Sequence, residues 1–86
     1  MQYKKDEPKQ PDKILMFEVK SSNLKAIGYD KATLTLRLQF KSSNHFYNYK
    51  GVSSELFLEF MESNSKGRFF FTKIKGKFEH EKIETK

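Results

Sequence analysis

Thr33 to Phe40 read Thr-Leu-Thr-Leu-Arg-Leu-Gln-Phe, the most regular stretch in the chain. Leu34, Leu36, Leu38 and Phe40 alternate with Thr35, Arg37 and Gln39. A two-residue apolar period is that of a β-strand with one face on a core and one toward water. A strand of this kind needs partners and a cover, and the chain has only 86 residues to supply both. A domain so short buries only about 60% of the surface that its unfolded chain exposes. Nine Phe and four Tyr suit that constraint, because aromatic side chains bury the most area per residue.

The partners lie on either side. Leu24 to Tyr29 reads as a short strand, with Asp30-Lys31-Ala32 as the turn into the regular one. Lys41-Ser42-Ser43-Asn44 is a hairpin loop, and His45 to Lys50 forms the next strand. Ile14 to Val19 is apolar enough to be a first strand or a short lead-in, followed by a turn at Ser21-Ser22-Asn23. Gly51 breaks the alternation and the period changes. Ser53 or Ser54 can cap a helix in which Leu56, Phe57, Phe60 and Met61 share one face, and Glu55, Glu59 and Glu62 face solvent. Ser65 can cap a second helix. Phe70, Phe71 and Ile74 share a face there with Gly67, and Gly76 suits the left-handed position that ends a helix.

The expected fold class is α+β: a small antiparallel meander of three or four strands packed against two short C-terminal helices. Residues 1–13, which hold both prolines, are expected as a flexible arm, residues 14–78 as a single domain, and residues 79–86 as a charged tail.

The composition excludes several functions. Without cysteine there is no disulfide, thiolate metal site or cysteine nucleophile. His45 and His80 are the only histidines, one on a strand and one in the tail, with no metal-ligand spacing. No phosphate-binding glycine loop, nucleophile elbow or inward pair of carboxylates occurs, so neither catalysis nor a cofactor is expected. No apolar run nears the roughly 20 residues of a membrane span. The polar N-terminus lacks a signal-peptide core, so a cytoplasmic location is expected, in the host cell if the chain is viral.

Charge is more informative. The net charge is +6, unevenly spread. Lys66, Arg68, Lys73, Lys75 and Lys77 lie between Ser65 and Phe78 without an acid, whereas Gly51 to Asn64 carries three glutamates and no base. A polarised basic surface favours an anionic partner, nucleic acid first. On a wheel at about 100° per residue, Phe69 points away from the apolar stripe and lies near Lys73. It can stack on a base there, or pack against a neighbouring segment as terminal aromatics in small domains often do. In the strand from His45 to Lys50, Tyr47 and Tyr49 share a face. They are either part of the core or a stacking platform for bases. Their bulk relative to the Phe46, Asn48 and Lys50 face favours the core, although a one-residue slip in register reverses the assignment.

Several short motifs recur in a known order. Ser21-Ser22, Ala26-Ile27-Gly28-Tyr29-Asp30, Leu34 to Phe40, Tyr47-Asn48-Tyr49, Gly51-Val52 and Ser65-Lys66-Gly67-Arg68-Phe69-Phe70 resemble the KTSC domain. That family is named for the C-termini of lysyl-tRNA synthetases and also occurs as free-standing bacterial and phage proteins. The resemblance spans about Val19 to Phe78. It implies a module that binds RNA, with Tyr47, Tyr49, Ser65, Gly67, Arg68, Phe69 and Phe70 as the matching positions. The chain departs from the pattern at Ser53, where proline is common, and at Phe71, where asparagine is common. It also has Lys73, Lys75 and Lys77 where arginine is favoured, which keeps the charge but loses the bidentate fork.

The resulting expectation is a non-enzymatic module that binds RNA or another single-stranded nucleic acid. Lys66, Arg68, Lys73, Lys75 and Lys77 would take phosphates, and Phe69, Tyr47 and Tyr49 would stack. Neutralising about five phosphates gives a salt slope near −3.5 for a single strand. The alternative is a bacterial or phage module that docks on an acidic protein, since charge steers either encounter. A third option, a small anionic nucleotide at Ser65-Lys66-Gly67, has less room for an enclosing pocket.

Overall fold

A computed structural model describes residues 14–43 and 45–83. Five strands form one antiparallel sheet in chain order: β1 (Met16–Glu18), β2 (Leu24–Asp30), β3 (Thr35–Phe40), β4 (Phe46–Lys50) and β5 (Glu79–Ile83). Helix α1 (Ser54–Glu62) and the short α2 (Lys66–Phe69) connect β4 to β5 and cover one face. The α+β meander covered by helices is therefore as expected, with one strand more. The added strand is Glu79–Ile83, part of the stretch expected as a tail. It pairs with β4 from Phe46↔Ile83 to Lys50↔Glu79. Its charged, exposed residues hid it, because an edge strand needs little apolar content to pair through its backbone.

Both helices start at the expected serines. The Ser53 hydroxyl accepts from the Leu56 amide, and the Ser65 hydroxyl accepts from the Arg68 amide. Gly76 has φ +78° just past the helical segment, as the stop signal requires. The second helix itself differs from the wheel. After Phe69 it widens into a π-helical turn, Phe70–Ile74, closed by Lys75 N–H donating to the Phe70 carbonyl at 2.8 Å. An i→i+5 turn holds an extra residue, so side chains beyond it no longer fall at 100° intervals. Phe70 and Ile74 are buried, as expected, but Phe71 turns out to 56% exposure.

The helix-facing side of the sheet carries the core: Leu24, Ile27, Leu36, Leu38 and Tyr49, closed by Val52, Phe60, Phe70 and Ile74. Leu24 and Ile27 differ in parity, yet both point to the helices because a bulge interrupts β2 between Leu24 and Ala26. Leu34 leaves the stripe to which its alternation assigns it. It is 43% exposed with φ +54°, and its carbonyl accepts from both Gly51 N–H and Val52 N–H at 3.0 Å. The β2–β3 turn thus uses Leu34 as a backbone acceptor rather than as a core side chain.

The polar row of β3 also departs from expectation. Thr35, Arg37 and Gln39 are buried, Arg37 completely, together with Phe46 and Asn48 from β4. Arg37 Nε donates to Asn48 Oδ1 at 2.6 Å, and the guanidinium lies 5.8 Å from the Phe46 ring centroid. A buried cation is tolerable only with such partners. Ile14 and Met16 lie against this face at Gly28, where an added Cβ would collide with the Leu15 carbonyl, Met16 Sδ and Ile14 Cγ2. Only glycine admits that close approach.

Candidate functional site

The sheet and the end of the π-helical turn leave an open groove of about 680 Å³ between them. Its aromatic lining is Phe40, Tyr47, Tyr49, Phe70, Phe71 and His80. Register explains the gathering. Tyr47 and Tyr49 stand opposite Leu38 and Leu36 on the helix-facing side, and His80 on β5 stands opposite Tyr49. The His80 and Tyr49 rings stack with centroids 5.2 Å apart and planes at 22°. Phe40 meets Tyr47 edge-on at 5.5 Å, and Tyr49 meets Phe70 edge-on at 5.6 Å.

Lys75 and Phe71 form one wall, with the ammonium 4.7 Å from the ring centroid. Lys41, Ser42, Ser43, Ser22 and Asn23 form the other rim. That rim is tied together by its backbone, since Lys41 N–H donates to the Asn23 carbonyl at 2.9 Å. The Ser21 hydroxyl braces the turn by accepting from the amides of Asn23 and Leu24, both at 3.2 Å. Gly67 completes the enclosure, and a Cβ there would sit 3.1 Å from Asn23 Nδ2. Asn23, next to the paired serines, and Gly67 of the Ser-x-Gly-Arg motif, far apart in sequence, therefore come together at this groove.

Of the eight residues expected to contact nucleic acid, Tyr47, Tyr49 and Lys75 line the groove, as do Gly67 and Phe70 of the family motif. Tyr49 is only 5% exposed, in keeping with the expected core role, while Tyr47 is half-buried and faces the opening. Burial, and then the neighbouring Tyr47, push the Tyr49 phenol above its ordinary value, so it stays neutral. The other five of the eight lie outside the groove lining. Phe69 is not free for a base, because it stacks on Phe60 at 5.2 Å. Lys66 Nζ donates to the Ser63 carbonyl at 2.8 Å and ties the two helices together. Arg68, Lys73 and Lys77 are exposed outside the groove lining.

The groove also recruits residues that sequence reasoning missed or gave other roles: Phe71, His80, Lys41, Ser22 and Asn23. Phe71 was placed on the core stripe by a regular helical period, which the π turn breaks. His80 was assigned to a tail, although its alternation with Glu79 and Glu81 is that of a two-faced strand.

Among the described residues, no group of three His, Cys, Asp or Glu side chains is arranged to hold a metal ion. Within the same residues, no helix is long and apolar enough to cross a membrane.

The fold and groove define a small α+β domain with an aromatic cleft edged by cations. The KTSC domain model matches residues 20–78, and the chain belongs to that family. A crystal structure of the KTSC domain protein YPO2434 from Yersinia pestis is similar throughout. It has 41% identity and a TM-score of 0.79 over 83% of this chain and 99% of that one. No curated protein matches the chain.

Proposed function

We propose that this domain is a non-enzymatic module that binds RNA or another single-stranded nucleic acid in the groove between β4–β5 and the π-helical turn. The observation that carries this reading is the composition of the groove. Four accessible aromatic rings, Phe40, Tyr47, Phe71 and His80, lie there over the buried Tyr49 and Phe70, with Lys41 and Lys75 at the edges and no carboxylate among the described lining residues. Rings supply stacking surface that accepts any base, at about 1–3 kcal/mol per base, and lysines supply sequence-independent attraction to phosphate. Exposed rings beside the lysines suit bases better than the carboxylates of an acidic protein, which favours nucleic acid over the protein-docking alternative. The setting we infer is a bacterial or phage protein in the cytoplasm, in the host's cytoplasm for a phage.

The test is fluorescence anisotropy with labelled tRNA and a single-stranded RNA across a salt series. Binding is expected with a log–log salt slope of at least about −1.4 in magnitude, the value for two phosphates on a single strand. His80→Ala and Lys75→Glu should each weaken it at least tenfold. Arg68→Glu, outside the groove, should weaken it only a few-fold. No binding by the wild type at low salt would overturn the reading, and a nuclease-resistant pull-down would then become the informative experiment.

A further inference from the structure

We propose that the groove seats one nucleotide of a strand together with both of its flanking phosphates, one on Lys41 and one on Lys75. This rests on the nucleic-acid reading above and specifies the unit that is recognised. The two cations belong to different elements on different walls. Lys41 follows β3, and its backbone is bonded to Asn23, so its position is set by the Ser21–Asn23 turn. The hydroxyl residues Ser22, Ser42 and Ser43 line the groove beside it. Lys75 ends the π-helical turn through its bond to the Phe70 carbonyl, and its ammonium sits beside the Phe71 ring. Phe40, Tyr47, Tyr49, Phe70 and His80 lie with them in the lining.

Neither lysine is ion-paired among the described residues, where the one salt bridge joins Lys50 to Glu81 on the far face of the sheet. A ligand with a single anion would leave one cation unused. A ligand with two anions and no ring would leave the aromatic surface in water. A nucleoside bearing phosphates on both its 3′ and 5′ sides satisfies all three parts. The groove volume, about 680 Å³, lies within the range of roughly 300–1,000 Å³ usual for small-molecule sites.

Calorimetry with the four nucleoside 3′,5′-bisphosphates, the matching 5′-monophosphates and the free nucleosides separates the possibilities. A short single-stranded RNA serves as the control ligand. At least one bisphosphate should bind at least tenfold more tightly than its monophosphate. Lys41→Ala and Lys75→Ala, both at exposed positions and checked for native circular dichroism, should each reduce that ratio to near one. Equal affinity for bisphosphate and monophosphate, or an unchanged ratio in either variant, overturns the proposal. If the RNA binds and no bisphosphate does, the two-phosphate site falls while the nucleic-acid reading stands. If neither binds, both fall.

Discussion

Leu34 and Leu36 are two residues apart and chemically identical, yet they do opposite things. Leu36 is fully buried under the helices. Leu34 is half-exposed in a left-handed conformation that residues other than glycine, asparagine and aspartate enter only at a cost of about 1–2 kcal/mol. The position is held because its carbonyl, turned inward, satisfies the amides of both Gly51 and Val52. Replacing Leu34 with Asn, which tolerates that conformation, should leave the unfolding free energy within about 1 kcal/mol of wild type. Leu36→Ala should cost about 2–5 kcal/mol through lost transfer energy and a cavity. Urea denaturation of the two variants measures this directly. Equal losses would mean that Leu34 belongs to the core after all.

Among the elements, β5 most changes the picture of the molecule. It covers the outer edge of β4 and delivers His80 to the groove. A chain truncated after Phe78 should therefore lose both stability and the His80 wall. We expect a loss of at least about 1 kcal/mol, or a fall in Tm of about 4–8 °C for a domain of this size. A disordered tail would be removed without effect, so an unchanged Tm argues against the strand. The π-helical turn has a comparable influence on the site. Phe69, just before it, stacks on Phe60, and within it Phe70 enters the core while Phe71 swings out beside Lys75. A regular helix would have kept Phe71 on the buried stripe and left the groove without that wall.

Across the whole molecule, charge and burial are both polarised. Glu55, Glu59 and Glu62 are exposed on α1, whereas the lining of the groove holds lysines and no described carboxylate. Under the proposed function, such a field would orient an approaching polyanion toward the groove. Two packed phenols, the buried Tyr49 and the half-buried Tyr29, add a pH dependence. Burial, and then a neighbouring ionisable group, raise both Tyr29 (beside Asp30) and Tyr49 (beside Tyr47) above the ordinary value of 10.0. The unfolded chain therefore releases these protons first as pH rises. Their contribution to stability is complete below about pH 10 and is lost as pH climbs through the raised folded values. Tm should fall above pH 10 in step with phenolate absorbance, and Tyr49→Phe should make that fall shallower. An unchanged slope in the variant would show that Tyr49 ionises equally easily in both states.

Period and punctuation were legible in the chain itself. The alternation in β3, the capping serines Ser53 and Ser65, Gly76 at the helix stop and the apolar face of α1 are local signals. Each depends on residues a few positions apart, and so they led to an α+β meander with helices over one face. The order of short motifs pointed to the family for the same reason. Tyr47, Tyr49 and Lys75, which line the groove, were recognisable by type as candidates. What the tertiary structure alone decided were questions of register and partnership. Arg37 sits in a row that alternation assigns to water, and its burial rests on partners across the ladder, Asn48 and Phe46 among them. Whether Phe69 or Phe71 faces outward depends on one widened turn, and whether His80 is tail or wall depends on pairing with β4. The cations of the groove could not be chosen from five clustered on one helix segment, because Lys41 reaches the site through a strand on the other side of the fold. Contacts between distant segments are set by how the elements pack together, and no local pattern encodes that.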